Sequence, residues 1–272
     1  MNRHFFACII FYLLVGRCMA AGVETVDTYS ASMKKTIKAT IIKPTGYNSK
    51  KKYPVLYLLH GFGNNYTSWP ARAPEVVKQA DLFNMLIVCA DGENSWYFDS
   101  PVDSAYRYET YIAKELVGWV DSHYSTIAQK SGRGISGNSM GGHGALYIAF
   151  KHPDVFGAAG SLSGGVDIRP FSNKFELPNR LGTIAEHPQN WEQNTVINMI
   201  DMLKPGALAI FIDCGTDDFF LKANEAFHAK LLEKKIPHTY MTREGDHSWD
   251  YWKVSIYYLA LFMSRYFSKA SS

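Results

Sequence analysis

Cysteine is scarce: four residues in 272, with Cys8 and Cys18 both inside the first twenty positions. The other two, Cys89 and Cys214, each end an apolar strand-like run, which predicts buried free thiols rather than a disulfide framework. There is no H-E-x-x-H and no Cys/His cluster, so neither a metal site nor a cofactor is indicated. Long apolar runs are missing too. The stretch Phe5 to Val15 is unbroken but only 11 residues long, where about 20 are needed to span a bilayer. Charge of one sign never accumulates: Lys50-Lys51-Lys52 is the only basic run, and beside Gly46 and Asn48 it reads as a solvated loop. The formal charge is +3 for 28 Lys and Arg against 25 Asp and Glu, two of the basic residues being Arg3 and Arg17 near the start. No field of that size selects nucleic acid or an anionic membrane as a partner. Repeats and low-complexity linkers are absent as well, which predicts one domain.

A leader accounts for the first residues. Met1-Asn2-Arg3-His4 is a short basic region, the apolar run follows, and Cys18-Met19-Ala20-Ala21 offers a small-residue cleavage site. Residues 1–20 are expected to be a secretory signal peptide, making the mature chain secreted or periplasmic with no stable membrane anchor. Residues 21–272 are expected to form the single domain. Hydrophobic content of 47%, with 14% aromatics, is ample for a packed core.

Along the chain, Thr25 to Met33 and Lys35 to Ile42 read as a hairpin joined near Lys34. Val55 to Leu59 and Met85 to Ala90 are continuous apolar runs of the buried parallel-strand type, with a helix near Ala73 to Leu82 between them. An amphipathic helix is predicted from Ala105 to His123, with Tyr108, Ile112, Leu116, Trp119 and Val120 near one face. Further strands are expected at Val155 to Leu162, Ala207 to Cys214 and His238 to Arg243, and helices at Phe219 to Lys234 and Trp249 to Phe267. Between Val166 and Pro205 the periodicity breaks on Pro170, Pro178, Gly182 and Pro188, although Trp191 to Leu203 has helical character. So long an irregular insertion is usually functional, and it reads as a cap over a pocket. Buried strands alternating with helices predict an α/β fold, a mostly parallel sheet covered on both faces, with ligands at the carboxyl ends of the strands.

One motif stands at such an end. Gly137-Asn138-Ser139-Met140-Gly141 has the form G-x-S-x-G, placing a serine on a tight turn between a strand and the helix Gly142 to Phe150, whose apolar residues are expected on one side. With 21 glycines in the chain, chance alone would supply the pattern in roughly one such sequence in ten, so context must decide. A serine hydroxyl needs a base, and His247 follows the last strand at the same sheet edge. The imidazole in turn needs an acid. Asp213, Asp217 and Asp218 are candidates, Asp213 being disfavoured by its place within the strand, and Asp167 is a more distant one. Residue spacing does not choose between Asp217 and Asp218. Backbone amides of Met140 and Phe62, the latter in the loop His60-Gly61-Phe62-Gly63, are the natural oxyanion donors, with the His60 side chain holding that loop.

Leu58 to Gly63 with Ser68-Trp69, Gly137 to Leu146, Asp213 to Asp218, and His247 to Trp252 together resemble the esterase-D-like branch of the α/β-hydrolases, from about residue 25 to 268. That branch includes tributyrin-type esterases, family-one carbohydrate esterases acting on feruloyl and acetyl esters, S-formylglutathione hydrolases and mycolyl transferases. The resemblance implies an α/β-hydrolase fold, Asp218 as the acid, and Phe62 and Met140 as the oxyanion hole; the small cap insertion at about 166–205 rests on the broken periodicity alone. The resemblance also implies a serine carboxylesterase, with acyl transfer as the alternative within enzymes. Short-chain or aryl esters, acetyl and feruloyl esters of plant polysaccharides among them, are expected from the aromatic residues and the leader rather than from the resemblance. A non-catalytic binding module on the same scaffold is the alternative outside enzymes, opposed by the complete Ser/Asp/His set. Aromatic residues in the loops and the cap at the active-site edge, Trp69, Trp96, Trp191, Phe219 and Trp249, are expected to contact a small ester or polysaccharide ester substrate.

Overall fold

The computed structural model describes residues 22–270, so the expected leader lies outside the described residues. Strands β1 (Gly22–Ser30) and β2 (Lys35–Lys43) form the hairpin. Then come β3 (Val55–Leu59), α1 (Ser68–Arg72), α2 (Glu75–Leu82) and β4 (Leu86–Ala90). A composite helix follows, made of α3 (Tyr108–Thr110), a π-helical stretch Tyr111–Leu116 and α4 (Val117–His123). The second half runs β5 (Arg133–Gly137), α5 (Met140–Lys151), β6 (Ala158–Leu162), α6 (Leu177–Leu181), α7 (Pro188–Asn194), β7 (Ala209–Gly215), α8 (Leu221–Glu233), β8 (Thr239–Arg243) and α9 (Trp249–Ala270).

Among the described residues the strands form one sheet in the order β1-β2-β4-β3-β5-β6-β7-β8. Only the β1/β2 and β2/β4 pairings are antiparallel; from β4 to β8 every pairing is parallel. Strand β3 lies between β4 and β5, so the chain leaves β3 in one direction and resumes on its other side at β5. This reversal opens a crevice at the carboxyl ends of β3 and β5, the usual ligand position in such sheets. Leu59 and Gly137 are register partners there, which sets the loops after them side by side.

Strand alternation divides the core into two layers. Val55, Tyr57, Leu59, Ile135 and Ile212 point to the face covered by the composite helix, α5 and α8, whereas Leu56, Leu58, Ile87, Leu162 and Phe211 point to α2 and α9. Burial on both faces explains why β3 and β4 are apolar at every position.

Four readings are corrected. The hairpin turn spans residues 31–34, so β1 ends at Ser30. The single helix expected over Ala105 to His123 begins only at Tyr108 and widens to a π turn; Tyr111, Ile112 and Ala113 are consecutively buried there, which one face of an α-helix does not allow. Helix α5 is buried on every side, not along one stripe. The helical character of Trp191 to Leu203 stops at Asn194: Thr195 takes an extended backbone while its hydroxyl donates to the Trp191 carbonyl (2.7 Å), and two 3-10 turns follow. The whole insertion is dense. Val166, Ile168, Leu177, Leu181, Trp191 and Val196 are fully buried and continuous with the first core layer.

Candidate active site

Ser139 has φ 56° and ψ −118°, a backbone position that side-chain-bearing residues avoid. Its neighbours make that position possible. A Cβ on Gly137 would lie 2.5 Å from the Leu59 carbonyl oxygen, and one on Gly141 only 2.4 Å from the same atom. The end of β3 therefore presses on the turn from one side and forces the serine outward, as the first residue of α5 follows at Met140.

From the other end of the sheet, two loops are laced together by their backbones. Thr216 N–H donates to Arg243 C=O and Asp217 N–H to Gly245 C=O, each at 2.9 Å. This lacing turns Asp218 inward beneath His247. The imidazole Nδ1–H donates to Asp218 at 2.8 Å to Oδ2 and 3.0 Å to Oδ1, which leaves Nε2 to accept the Ser139 hydroxyl at 2.8 Å. A carboxylate only accepts, so the histidine tautomer follows from its partner. Asp218 also receives the Phe220 amide (2.8 Å), and its side chain is wholly buried. Rings close in on the imidazole: Phe219 at 4.3 Å, Trp252 edge-on at 5.0 Å and Phe220 at 5.4 Å.

The other candidate acids do not meet the imidazole. Asp217 is exposed. Asp213 is buried against Arg243 (2.9 Å) and the Tyr251 hydroxyl, and Asp167 grips Arg169 at 2.8 Å.

The loop after β3 runs against the elbow so closely that a Cβ on Gly61 would sit 3.2 Å from Ser139 Cβ. His60 holds it. Its Nε2 accepts the Gly92 amide (2.8 Å), so Nδ1–H donates to the Gly61 carbonyl (2.8 Å), which also receives Asn64 N–H at 3.2 Å. The Gly61 carbonyl and the Phe62 amide share one peptide plane and point opposite ways. Anchoring the carbonyl thus aims the amide. Among the described residues, neither the Phe62 nor the Met140 amide donates to a protein acceptor.

Of the aromatic residues expected to meet substrate, three do not reach the surface. Trp69, Trp96 and Trp191 are buried, and each indole N–H donates to a backbone carbonyl (Leu59, Phe175 and Gly182, all at 3.0 Å). A wide ring with one donor satisfies loop backbone while filling volume, and these three do that. Phe219 is exposed beside His247. Trp249 is half-buried against Trp69 and Trp252. Sequence reasoning missed Phe171 and Phe175 of the insertion. Phe175 meets Phe62 (5.6 Å) and stacks parallel to Phe219 (6.5 Å), and Phe171 meets Phe220 (5.0 Å). No local signal marks these two among 16 phenylalanines.

The Esterase family model matches residues 30–260. An acetyl esterase of Caldicellulosiruptor saccharolyticus is 26% identical over 254 residues, covering 86% of this chain and 95% of that protein. An endo-1,4-beta-xylanase/feruloyl esterase of Xylanibacter ruminicola is 33% identical over 156 residues, which are 53% of this chain but 22% of that longer protein. The solved structure of a ferulic acid esterase superposes with a TM-score of 0.78 at 28% identity, over 91% of this chain and 99% of the other.

Proposed function

The chain belongs to the Esterase family, in the esterase-D-like branch of the α/β-hydrolases, and from that premise we propose that it is a serine carboxylesterase with Ser139, His247 and Asp218 as its triad. The observation that carries the residue assignment is the unbroken line of hydrogen bonds from Ser139 Oγ through His247 to the buried Asp218. In this reading Ser139 Oγ attacks the ester carbonyl carbon as Nε2 takes its proton. Asp218 stabilises the imidazolium and keeps its orientation. The carbonyl oxygen, now an anion, is received by the Phe62 and Met140 amides, the latter at the positive end of α5. Collapse expels the alcohol, protonated by His247, and leaves an acyl-Ser139 ester. Water then enters on the alcohol's side and repeats the two proton transfers to release the acid.

For substrate we propose short-chain and aryl esters, acetyl and feruloyl esters of plant sugars among them. Phe219 lies against the His247 imidazole and continues through Phe175 to Phe62, a run of flat apolar faces suited to an aryl or sugar ring. Relatives with acetyl and feruloyl esterase names support the choice. Residues 21–272 are read as one domain, the insertion sharing its core layer with the sheet, and residues 1–20 as the leader of a secreted or periplasmic protein.

The test is labelling and turnover. A fluorophosphonate is expected to modify the wild type and not Ser139→Ala, which should fold and lack activity on p-nitrophenyl acetate and methyl ferulate. Labelling that persists in Ser139→Ala removes that residue from its role. Preference for S-formylglutathione over both esters would overturn the substrate assignment.

A further inference from the structure

Asn94, in the loop after β4, joins two parts of the site that are far apart in sequence. Its Oδ1 accepts the Gly63 amide at 2.8 Å, and its Nδ2 donates to Glu176 Oε1 at 3.0 Å. On one side, the Gly63 amide belongs to the peptide that follows Phe62, while His60 anchors the peptide before it. Both planes flanking Phe62 are therefore held, one by each side chain. On the other side lies the tip of the insertion, where Phe175 and Glu176 both have φ 54°. Two adjacent side-chain-bearing residues in that region hold it only if their surroundings impose it. Here Trp96 Nε1–H donates to the Phe175 carbonyl (3.0 Å). Arg180 donates to Glu176 Oε2 (3.3 Å) and to the Asn94 carbonyl (3.2 Å) while stacking on Tyr106 at 3.4 Å. The imposed tip sets the Phe175 ring against Phe62.

We propose that Asn94 is a positioning residue that couples the Phe175–Glu176 tip to the Phe62 amide, so that an aryl group seated against Phe175 sharpens the oxyanion geometry. This rests on the reading of Phe62 N–H as an oxyanion donor. A ring that presses Phe175 outward pulls on Glu176, and the Glu176–Asn94–Gly63 line carries the displacement to the peptide beside Phe62. An acetyl ester has no ring to place there and draws less on the coupling. Selectivity for aryl esters would then appear in kcat as well as in KM, because the amide acts on the transition state.

The experiment compares wild type, Asn94→Leu, Phe175→Ala and the double variant on methyl ferulate and p-nitrophenyl acetate, with active sites counted by fluorophosphonate. Asn94→Leu should lower kcat on methyl ferulate about tenfold with KM within about twofold, and lower kcat on p-nitrophenyl acetate by about threefold or less. The double variant should be no worse on methyl ferulate than the worse single one. Should Asn94→Leu fail to fold, Asn94→Asp sets two carboxylates face to face, and adding Glu176→Gln restores an amide–carboxylate pair in reverse. Loss in the first and recovery in the second support the coupling. A lower Tm with unchanged kcat, additive losses, or no recovery on adding Glu176→Gln would each overturn it. Wild type inactive on both esters is a different failure: it removes the esterase reading and this inference with it.

Discussion

Asp217 and Asp218 are adjacent acids with opposite surroundings, one in solvent and one buried beneath an imidazole. The backbone lacing of the loops after β7 and β8 decides between them, since the Asp217 amide is committed to Gly245 and the next side chain must turn inward. If Asp218 orients His247, Asp218→Asn keeps the shape but offers an amide that can donate to Nδ1 and favour the wrong tautomer. We expect kcat to fall on the order of 10³-fold or more, with KM little changed. Asp217→Asn should stay within about threefold of wild type. Steady-state kinetics on p-nitrophenyl acetate give the ranking, and the reverse order would reassign the acid. Trp69, Trp96 and Trp191 read as substrate contacts because their sequence positions put them in loops or in the insertion, but only the indole's carbonyl partner says that each faces inward.

Helix α5 carries the serine at its start and the insertion along its flank. His143 Nε2–H donates to the Asn194 carbonyl (3.0 Å), and the Tyr147 hydroxyl lies 2.8 Å from the Asn194 side-chain oxygen. Tyr147, Lys151 and His152 converge on Glu109 of α3, and their hydrogen bonds outweigh its burial to hold that carboxylate down at about 2. Burial likewise holds the His143 imidazole down to about 4 from an ordinary 6.5. The unfolded chain therefore protonates His143 near 6.5 while the folded chain resists until about 4. Stability is full above the first value and declines as pH falls towards the second, by on the order of 3 kcal/mol. Glu109 acts in the same direction at lower pH, its contribution lost between about 4.5 and 2. His143→Gln removes the titrating group while retaining an amide donor. It should be somewhat less stable at pH 7 yet lose less Tm between pH 7 and 4.5 than the wild type. Equal losses by scanning calorimetry would show that α5 docking does not depend on a neutral His143.

Across the whole molecule, the position of β3 between β4 and β5 brings the loop after β3 to the serine turn, and the parallel run out to β8 brings the acid and histidine loops to the same edge. Ser139 and His247 are 108 residues apart in sequence and share a hydrogen bond. No helix among the described residues is long and apolar enough to cross a membrane. The proposal of a leader makes its own prediction: protein exported from a bacterial host should begin at Ala21 or Gly22 on N-terminal sequencing. Retention of Met1 on the exported protein would contradict it.

The amino-acid sequence specifies the parts whose physics is local. Continuous apolar runs specify β3, β4 and β7 because both faces of those strands are covered, and the glycines at positions 137 and 141 announce a turn that only small residues permit. It also placed a histidine after the last strand. Tertiary structure decided everything that depends on where two distant loops meet. Which aspartate turns inward, which rings reach the opening, and that Asn94 bridges Gly63 and Glu176 all follow from loop paths set by packing. In the 166–205 insertion, prolines and glycines break the periodicity that makes helices legible, and its elements are held by long-range burial and side-chain bonds to distant backbone. Such contacts leave no repeating mark along the chain, because their partners are 79 and 51 residues away.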